Sequence, residues 1–255
     1  RIMTGPRSLP GVPEAKGHPT LRRYPLRRAR LPVGNSSLSL VVPDEQAWRR
    51  AGSWASAVVR GAEPPYWVRI WPAALAAARA MAAAGSLEGV CGVELGCGLG
   101  VPGVQAAGAG AAVTFADQSS DALAFARWNA AAQPGADTET VGVTLDWARA
   151  VVPGAFDLLV LSDVSYHAQH HRPLLRHLSE CLAPKGVVLH ADPHRDAASA
   201  FLSACRAGFE AHSWTRATMV QDRRADVRLT LMAQTGDDLR AWGARCGAPV
   251  NGGRK

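Results

Sequence analysis

The sequence predicts an α/β fold, a mostly parallel sheet with helices on both faces. Three observations predict it. Short apolar runs alternate with helix-length stretches from Val90 to Ala207. The first run, Val90–Leu95, ends in Gly96, Gly98 and Gly100, with Gly103 following, which reads as strand, glycine turn and helix start. The next four runs each end in an acid: Asp117, Asp146, Asp163 and Asp192. In an open parallel sheet, ligands gather at the carboxyl ends of the strands.

Each element follows from local pattern. Leu38–Val42 alternates and then turns apolar, a short strand stopped by Pro43, and Asp44 caps a helix running to about Arg60. Gly61–Pro65 is a loop, and Pro72 is placed to open an alanine-rich helix that Gly85 ends. Behind the glycine turn a helix runs through Ala107. Val113–Asp117 is the second strand, and Ser119 or Ser120 caps a helix to about Ala132. Thr140–Leu145 and Phe156–Leu161 are the third and fourth strands, with a helix over Pro173–Leu182. Val187–His190 is the fifth, followed by a helix over Ala197–Ala207. His212–Val220 and Val227–Ala233 read as an antiparallel closing pair, and Asp237–Arg245 as a last helix.

The 255 residues suffice for one large domain with extensions. A membrane span is not expected, because Ala73–Ala84 is too short and Arg79 interrupts it. A secretory signal is not expected, since the first residues given lack an apolar core. Five cysteines (Cys91, Cys97, Cys181, Cys205, Cys246) show no C-x-x-C spacing, which predicts free thiols in a reducing cytoplasm. The net charge of +7 suggests nucleic acid until its distribution is seen. Residues 1–35 hold eight Lys/Arg against one acid, Glu14, which is the whole excess. The rest of the chain is neutral. That stretch is expected to be a basic, proline-rich, disordered tail, with docking to an acidic partner as the alternative.

Two cofactor classes use such a glycine turn. Gly98–Gly103 fits the dinucleotide pattern G-x-G-x-x-G. Glu94–Gly100 fits E/D-x-G-x-G-x-G, and so resembles the first motif of class I S-adenosylmethionine (SAM) methyltransferases. Glu94 favours the second register, since SAM carries an ammonium and a sulfonium, whereas a pyrophosphate gains nothing from an acid.

The resemblance covers roughly residues 64–235 and, within these enzymes, points to the branch of calmodulin-lysine, chaperone-lysine and electron-transfer-flavoprotein-lysine methyltransferases. Ile70-Trp71-Pro72-Ala73-Ala74 resembles that branch's W-P/D-A-A segment, Leu145-Asp146-Trp147 its L-x-W, and Asp163-Val164-Ser165-Tyr166 its D-x-x-Y. Asp192-Pro193-His194-Arg195 is similar to the flavoprotein-methyltransferase side. The resemblance implies a Rossmann-like seven-stranded, mostly parallel sheet with an antiparallel last strand. The implied layout is a tail over 1–35, an N-terminal extension over 36–63, a methyltransferase domain over 64–235 and a C-terminal tail over 236–255.

It also implies the site. Gly96, Cys97, Gly98 and Gly100 pass under the methionyl and ribose parts of SAM, with Glu94 beside them. Asp117 accepts the ribose hydroxyls, Trp147 stacks on adenine with Asp146 near its amino group, and Trp71 covers the methionine end. Ser162 lies beside the transferred methyl, and Asp163 and Tyr166 hold the acceptor amine. Methyl transfer from a sulfonium is an in-line displacement that needs alignment and exclusion of water. No N/D-P-P-Y/F motif appears, which disfavours amino-methylation of DNA bases and glutamine. His167, His170 and His171 have helical spacing without a matching carboxylate, so they are expected on the surface and no metal is expected.

The expected function is methylation of a protein lysine, with SAM as donor and a protein partner of acidic character, without specific nucleic-acid or membrane binding. The alternatives are a small-molecule N- or O-methyltransferase, a non-catalytic SAM-fold interaction protein, and an NAD-dependent oxidoreductase using Gly98–Gly103.

Overall fold

A computed structural model describes residues 12–51, 65–134, 139–220 and 223–249. The chain opens with a helical turn, α1 (Val12–Ala15), and a two-stranded hairpin of β1 (Leu26–Val33) and β2 (Ser36–Pro43). Then come α2 (Glu45–Arg50) and the alanine-rich α3 (Pro72–Ala83). The central unit runs β3 (Cys91–Leu95), α4 (Val101–Gly108), β4 (Ala112–Asp117), α5 (Ser120–Ala131), β5 (Thr140–Thr144) and β6 (Phe156–Ser162). It continues with α6 (His171–Cys181), β7 (Leu182–Asp192), α7 (Asp196–Cys205), β8 (Glu210–Val220), β9 (Arg223–Ala233) and α8 (Gly236–Arg245).

Seven strands form one sheet in the order β5-β4-β3-β6-β7-β9-β8, and β9 runs against both of its neighbours. The chain winds outward from β3 to β5, then returns to place β6 beside β3. That reversal between β3 and β6 is the topological switch point, where open sheets bind ligands. Alternate residues feed two cores. Leu158, Val160, Val187 and Leu189 face α3, α4 and α5. Leu159, Leu161 and Val188 face α6 and α7 through Leu174, Leu178 and Phe201. The alanines of α3 combine high helix propensity with small side chains, so this nearly all-buried helix lies close to the sheet.

The predicted fold class holds, and most elements agree within a few residues. Strand β7 starts at Leu182 rather than Val187, and Ala183–Gly186 are taken into the strand at an irregularity where the register with β6 shifts. A Cβ on Gly186 would lie 2.8 Å from the Phe156 carbonyl oxygen. The helix expected to reach Arg60 is described only as far as Arg50; residues 52–64 lie outside the described part, as do 1–11.

The disordered tail expected over residues 1–35 is corrected from residue 12 onward. Strand β1 pairs with β2 along its whole length, from Leu26↔Pro43 to Val33↔Ser36. Leu21, Ala29, Leu31 and Val33 are buried in the main core, while Arg28 and Arg30 stay exposed. Gly34, at φ +57°, and Asn35 make the two-residue turn. The hairpin is tied to α5 by a side chain: buried Asn129 donates from Nδ2 to the Val41 carbonyl (3.0 Å) and accepts from the Val41 N–H at Oδ1 (2.8 Å). This amide satisfies the edge of β2 as another strand would.

A second buried polar group sits under the glycine turn. Glu94 points to the opposite face of β3 from Val93 and Leu95, and is 1% exposed. Its Oε2 accepts the Gly103 N–H in the first turn of α4 (2.8 Å), and Oε1 has no partner among the described residues. Burial pushes its carboxyl up to about 8, against the Gly103 N–H that favours the charged form.

Two measurements follow from these buried contacts. Deleting residues 1–35 strips core side chains, and Asn129→Ala strands two buried backbone groups at roughly 1–3 kcal/mol each. Both changes should lower the midpoint of chemical denaturation, and an unchanged midpoint would show the hairpin to be peripheral. Glu94 gives a pH signature. Between its ordinary 4.5 and the native value of about 8, the native state holds a proton that the unfolded chain has released. Stability is therefore lost as pH rises across that interval. Glu94→Gln has no titration, so it should gain stability relative to wild type from pH ~5 to ~9. A pH-independent difference would contradict the buried neutral carboxyl.

Candidate active site

A cavity of about 1220 Å³ opens at the carboxyl ends of β3, β4 and β6, over the switch point. It is larger than the roughly 300–1,000 Å³ of a typical small-molecule site, enough for a nucleoside-sized ligand and a further side chain together. Its walls come from the glycine turn, the ends of β4 and β6, the loops after β5 and β7, and the segment before α3.

The turn is the floor. Gly96, Gly98 and Gly100 take φ of +63°, +52° and +70°, in the left-handed region that favours glycine. A Cβ on Gly96 would lie 2.7 Å from Val164 Cγ1 and 2.8 Å from the Trp147 ring. One on Gly100 would lie 2.7 Å from Ala126 Cβ and 2.9 Å from Phe115. Gly96, Cys97 and Gly98 line the cavity as expected, whereas Gly100 does not and instead lets α4 pack on α5 and β4. Glu94 is likewise not on the wall, because its side chain lies beneath the turn. Cys97 is buried, and burial raises its thiol well above the usual range.

Asp117 ends β4 beside the floor. The Gly98 N–H donates to its Oδ2 (2.8 Å) and the Ser119 N–H to its Oδ1 (2.9 Å), which locks the carboxylate to the turn. Burial raises its pKa, and these backbone donors oppose the rise. Its remaining lone pairs are available to hydroxyl donors. In the loop after β5, Asp146 accepts the Ala148 N–H and pairs with Arg149 (3.1 Å). Trp147 lies against Gly96 and meets His170 edge-on at 5.3 Å.

The far wall begins at Ser162, the last residue of β6. Asp163 follows at φ +55°, an uncommon conformation for a side-chain-bearing residue. Its two oxygens take a bidentate pair from Arg195, with Nε–Oδ1 at 2.7 Å and Nη2–Oδ2 at 2.9 Å. Arg195 also lies over the Tyr166 ring at 5.8 Å. The outer wall is Tyr66 and Trp71. The Trp71 indole donates to the Tyr66 carbonyl (3.1 Å), and the Arg69 guanidinium sits 5.1 Å above the Trp71 ring. Arg69 is gripped by Glu45.

Of the four strand-end acids, three line the cavity and Asp192 does not. It is fully buried, paired with Arg228 (2.9 Å) and accepting the Arg195 N–H (2.9 Å). Beside it Ser165 and His190 bond at 2.8 Å, and burial lowers His190 to about 4, so its ring is neutral. These groups fix the Asp163–Tyr166 loop and Arg195 from behind. His167 and His170 line the cavity, while His171 bonds the Ser165 carbonyl (3.1 Å). No group of three His, Cys, Asp or Glu side chains among the described residues could hold a metal. The sequence reading missed Arg69 and Arg195 as wall residues and Tyr66 and Trp67 as lining aromatics. Arg195 lay inside the D-P-H-R step, but nothing local marks its bond to Asp163, 32 residues away.

Comparison with known proteins agrees with this fold. Residues 93–188, from β3 into β7, match the family model of the methyltransferase domain. Mouse protein N-lysine methyltransferase METTL21A is 36% identical over 110 residues, 41% of this chain, and the match spans 50% of that relative's length. Among solved structures, a TehB-like SAM-dependent methyltransferase from Corynebacterium glutamicum is 18% identical, with TM-score 0.52, covering 74% of this chain and 98% of that one. A putative RNA methyltransferase from Pyrococcus horikoshii is 20% identical, with TM-score 0.53, covering 71% and 97%. N-methyltransferase NodS from Bradyrhizobium japonicum, solved with S-adenosylhomocysteine, is 17% identical, with TM-score 0.51, covering 62% and 84%. At these identities the likeness is one of fold. The chain thus shares the fold of SAM-dependent methyltransferases, and residues 93–188 match a methyltransferase-domain model.

Proposed function

We propose that the protein methylates a protein lysine side chain, using SAM as donor in the cavity over the glycine turn. The observation that carries the reading is the pairing of two features across one cavity. A glycine floor is locked to Asp117, and the Asp163–Arg195–Tyr166 cluster faces it from the end of β6. The similarity to a lysine methyltransferase supports the acceptor class.

The residues suit SAM better than a dinucleotide. The turn side carries Asp117 and Asp146, and the two arginines on the wall, Arg69 and Arg195, are each held by an acid. Each of these two guanidinium charges is thus already balanced by a carboxylate, leaving no whole charge from either for a pyrophosphate. In this reading Gly96, Cys97 and Gly98 approach the donor, Asp117 accepts its ribose hydroxyls, and Asp146 and Trp147 bound the adenine. Trp71 and Ser162 close on the methionine end. Glu94 and Gly100 shape the turn and do not touch the ligand. The bound donor supplies an electrophilic methyl group on a positively charged sulfur.

Chemistry at the acceptor needs a neutral amine, yet a free lysine holds its proton near pH 7. Asp163 gives the arriving ammonium a carboxylate to bond. Arg195 already neutralises that carboxylate, so its positive charge and the apolar wall favour loss of the proton. The Tyr166 hydroxyl can hold the amine in line, and the indoles and Tyr66 exclude water. The proton would pass to bulk water before the acceptor is fully seated, and the neutral amine held by these residues would then be the nucleophile for the donor's methyl group, with the thioether as leaving group.

Binding and chemistry should separate by mutation. S-adenosylhomocysteine, and not NAD, should raise the melting temperature by binding the native state. Asp117→Ala removes charge-assisted hydrogen bonds and should weaken S-adenosylhomocysteine by about 10–100-fold. Asp163→Asn should keep that affinity within about threefold and lower transfer from labelled SAM to acceptor protein by ~100-fold, the pattern of a contact made in the transition state. Stabilisation by NAD alone, or wild-type transfer in Asp163→Asn, would refute the assignments.

A further inference from the structure

Beyond Trp71 and Asp163 the wall opens into a second, smaller cavity of about 230 Å³. It shares Arg69, Trp71, Asp163 and Arg195 with the main cavity, and its outer side is Arg224 on β9 with Val220 at the end of β8. The space suits one side chain next to an acceptor residue and is too small for a second nucleoside.

Its charge is one-sided. Three guanidinium groups line it against one carboxylate, Asp163. Arg195 uses two N–H donors on Asp163, and Arg69 uses two on Glu45. An arginine has five, so both keep donors in reserve. Arg224 is exposed, and no carboxylate among the described residues lies within ion-pair distance of it. Among the described lining residues, the two internal pairs leave the charge of Arg224 unbalanced. Guanidinium groups match a carboxylate's two oxygens with parallel N–H donors.

We propose that this second cavity is a subsite for an acidic side chain, Asp or Glu, adjacent in sequence to the methylated residue. Arg224 and the spare donors of Arg195 take its carboxylate, and the enzyme thereby selects acidic contexts. The inference rests on the reading of the main cavity as a protein side-chain acceptor site, and it deepens that reading by naming the flanking residue.

The test uses full-length protein saturated with S-adenosylhomocysteine and short fluorescent peptides with a central lysine flanked by glutamate, glutamine or lysine. Binding is read by anisotropy at fixed ionic strength. The glutamate peptide should bind about tenfold tighter than the glutamine one, the worth of one charge-assisted pair. Arg224→Glu should abolish or reverse that preference, and Arg224→Ala should reduce it. Both variants should keep wild-type affinity for S-adenosylhomocysteine, which certifies their fold. Equal binding of all peptides, no binding of any, or a preference that survives in Arg224→Glu would overturn the proposal.

A second arm replaces the central lysine by norleucine and follows turnover of the lysine peptides with SAM. A charge preference that persists in the norleucine series, with no lysine peptide methylated, would leave the subsite standing and remove the lysine reading. Methylation that ignores the flanking residue would do the reverse.

Discussion

The structure depends on how closely the chain packs around the turn after β3. Gly96 and Gly100 have no room for a side chain, since Val164, Trp147, Ala126 and Phe115 already occupy the space. Those four residues come from the loop after β6, the loop after β5, helix α5 and strand β4, so one turn holds four separate elements in register. The same crowding places Asp117, Trp147 and the Asp163 loop around one cavity. A side chain at either glycine would force a shift in the turn, since Cβ approaches below 3 Å cannot be absorbed in place.

A second constraint is electrostatic. Asp163 would be costly to bury alone, and Arg195 compensates it. Arg195 is in turn held by its own N–H on Asp192, which pairs with Arg228 across the β7–β9 ladder. The charges that face the cavity are thus anchored to the antiparallel edge of the sheet. Neutral His190 fills the space between, with its Nε2 on Ser165. In this arrangement the reversed strand β9 supplies both the anchor, Arg228, and the rim residue, Arg224.

Much of this was legible in the sequence because it is local. The seven strands follow from apolar runs, and Pro72, Asp44 and Ser119 open helices as their capping chemistry dictates. The glycine spacing located the switch point, and Asp117, Asp146, Trp147, Ser162, Asp163 and Tyr166 all reach the cavity. What was misread depends on faces and on distant partners. The arginines of residues 22–30 hid the alternation of Ala29, Leu31 and Val33, although the Gly34-Asn35 turn was a usable hairpin signal. Glu94 alternates away from Val93 and Leu95, and its contact with Gly103 exists only once α4 packs. Asp192 has the same strand-end position as the other acids, and only the register with Arg228 makes it structural.

The proposed transfer of a methyl group from SAM to a protein lysine is tested most directly by incubating the protein with SAM carrying a trideuterated methyl group in a lysate of the source cells. Acid hydrolysis and mass spectrometry of the separated protein, nucleic-acid and small-molecule fractions then locate the label. The predicted result is trideuteromethyl-lysine in the protein fraction, formed about 100-fold more slowly when Asp163→Asn replaces wild type. Label confined to nucleic acid or to a small molecule, with protein lysines unlabelled, would contradict it.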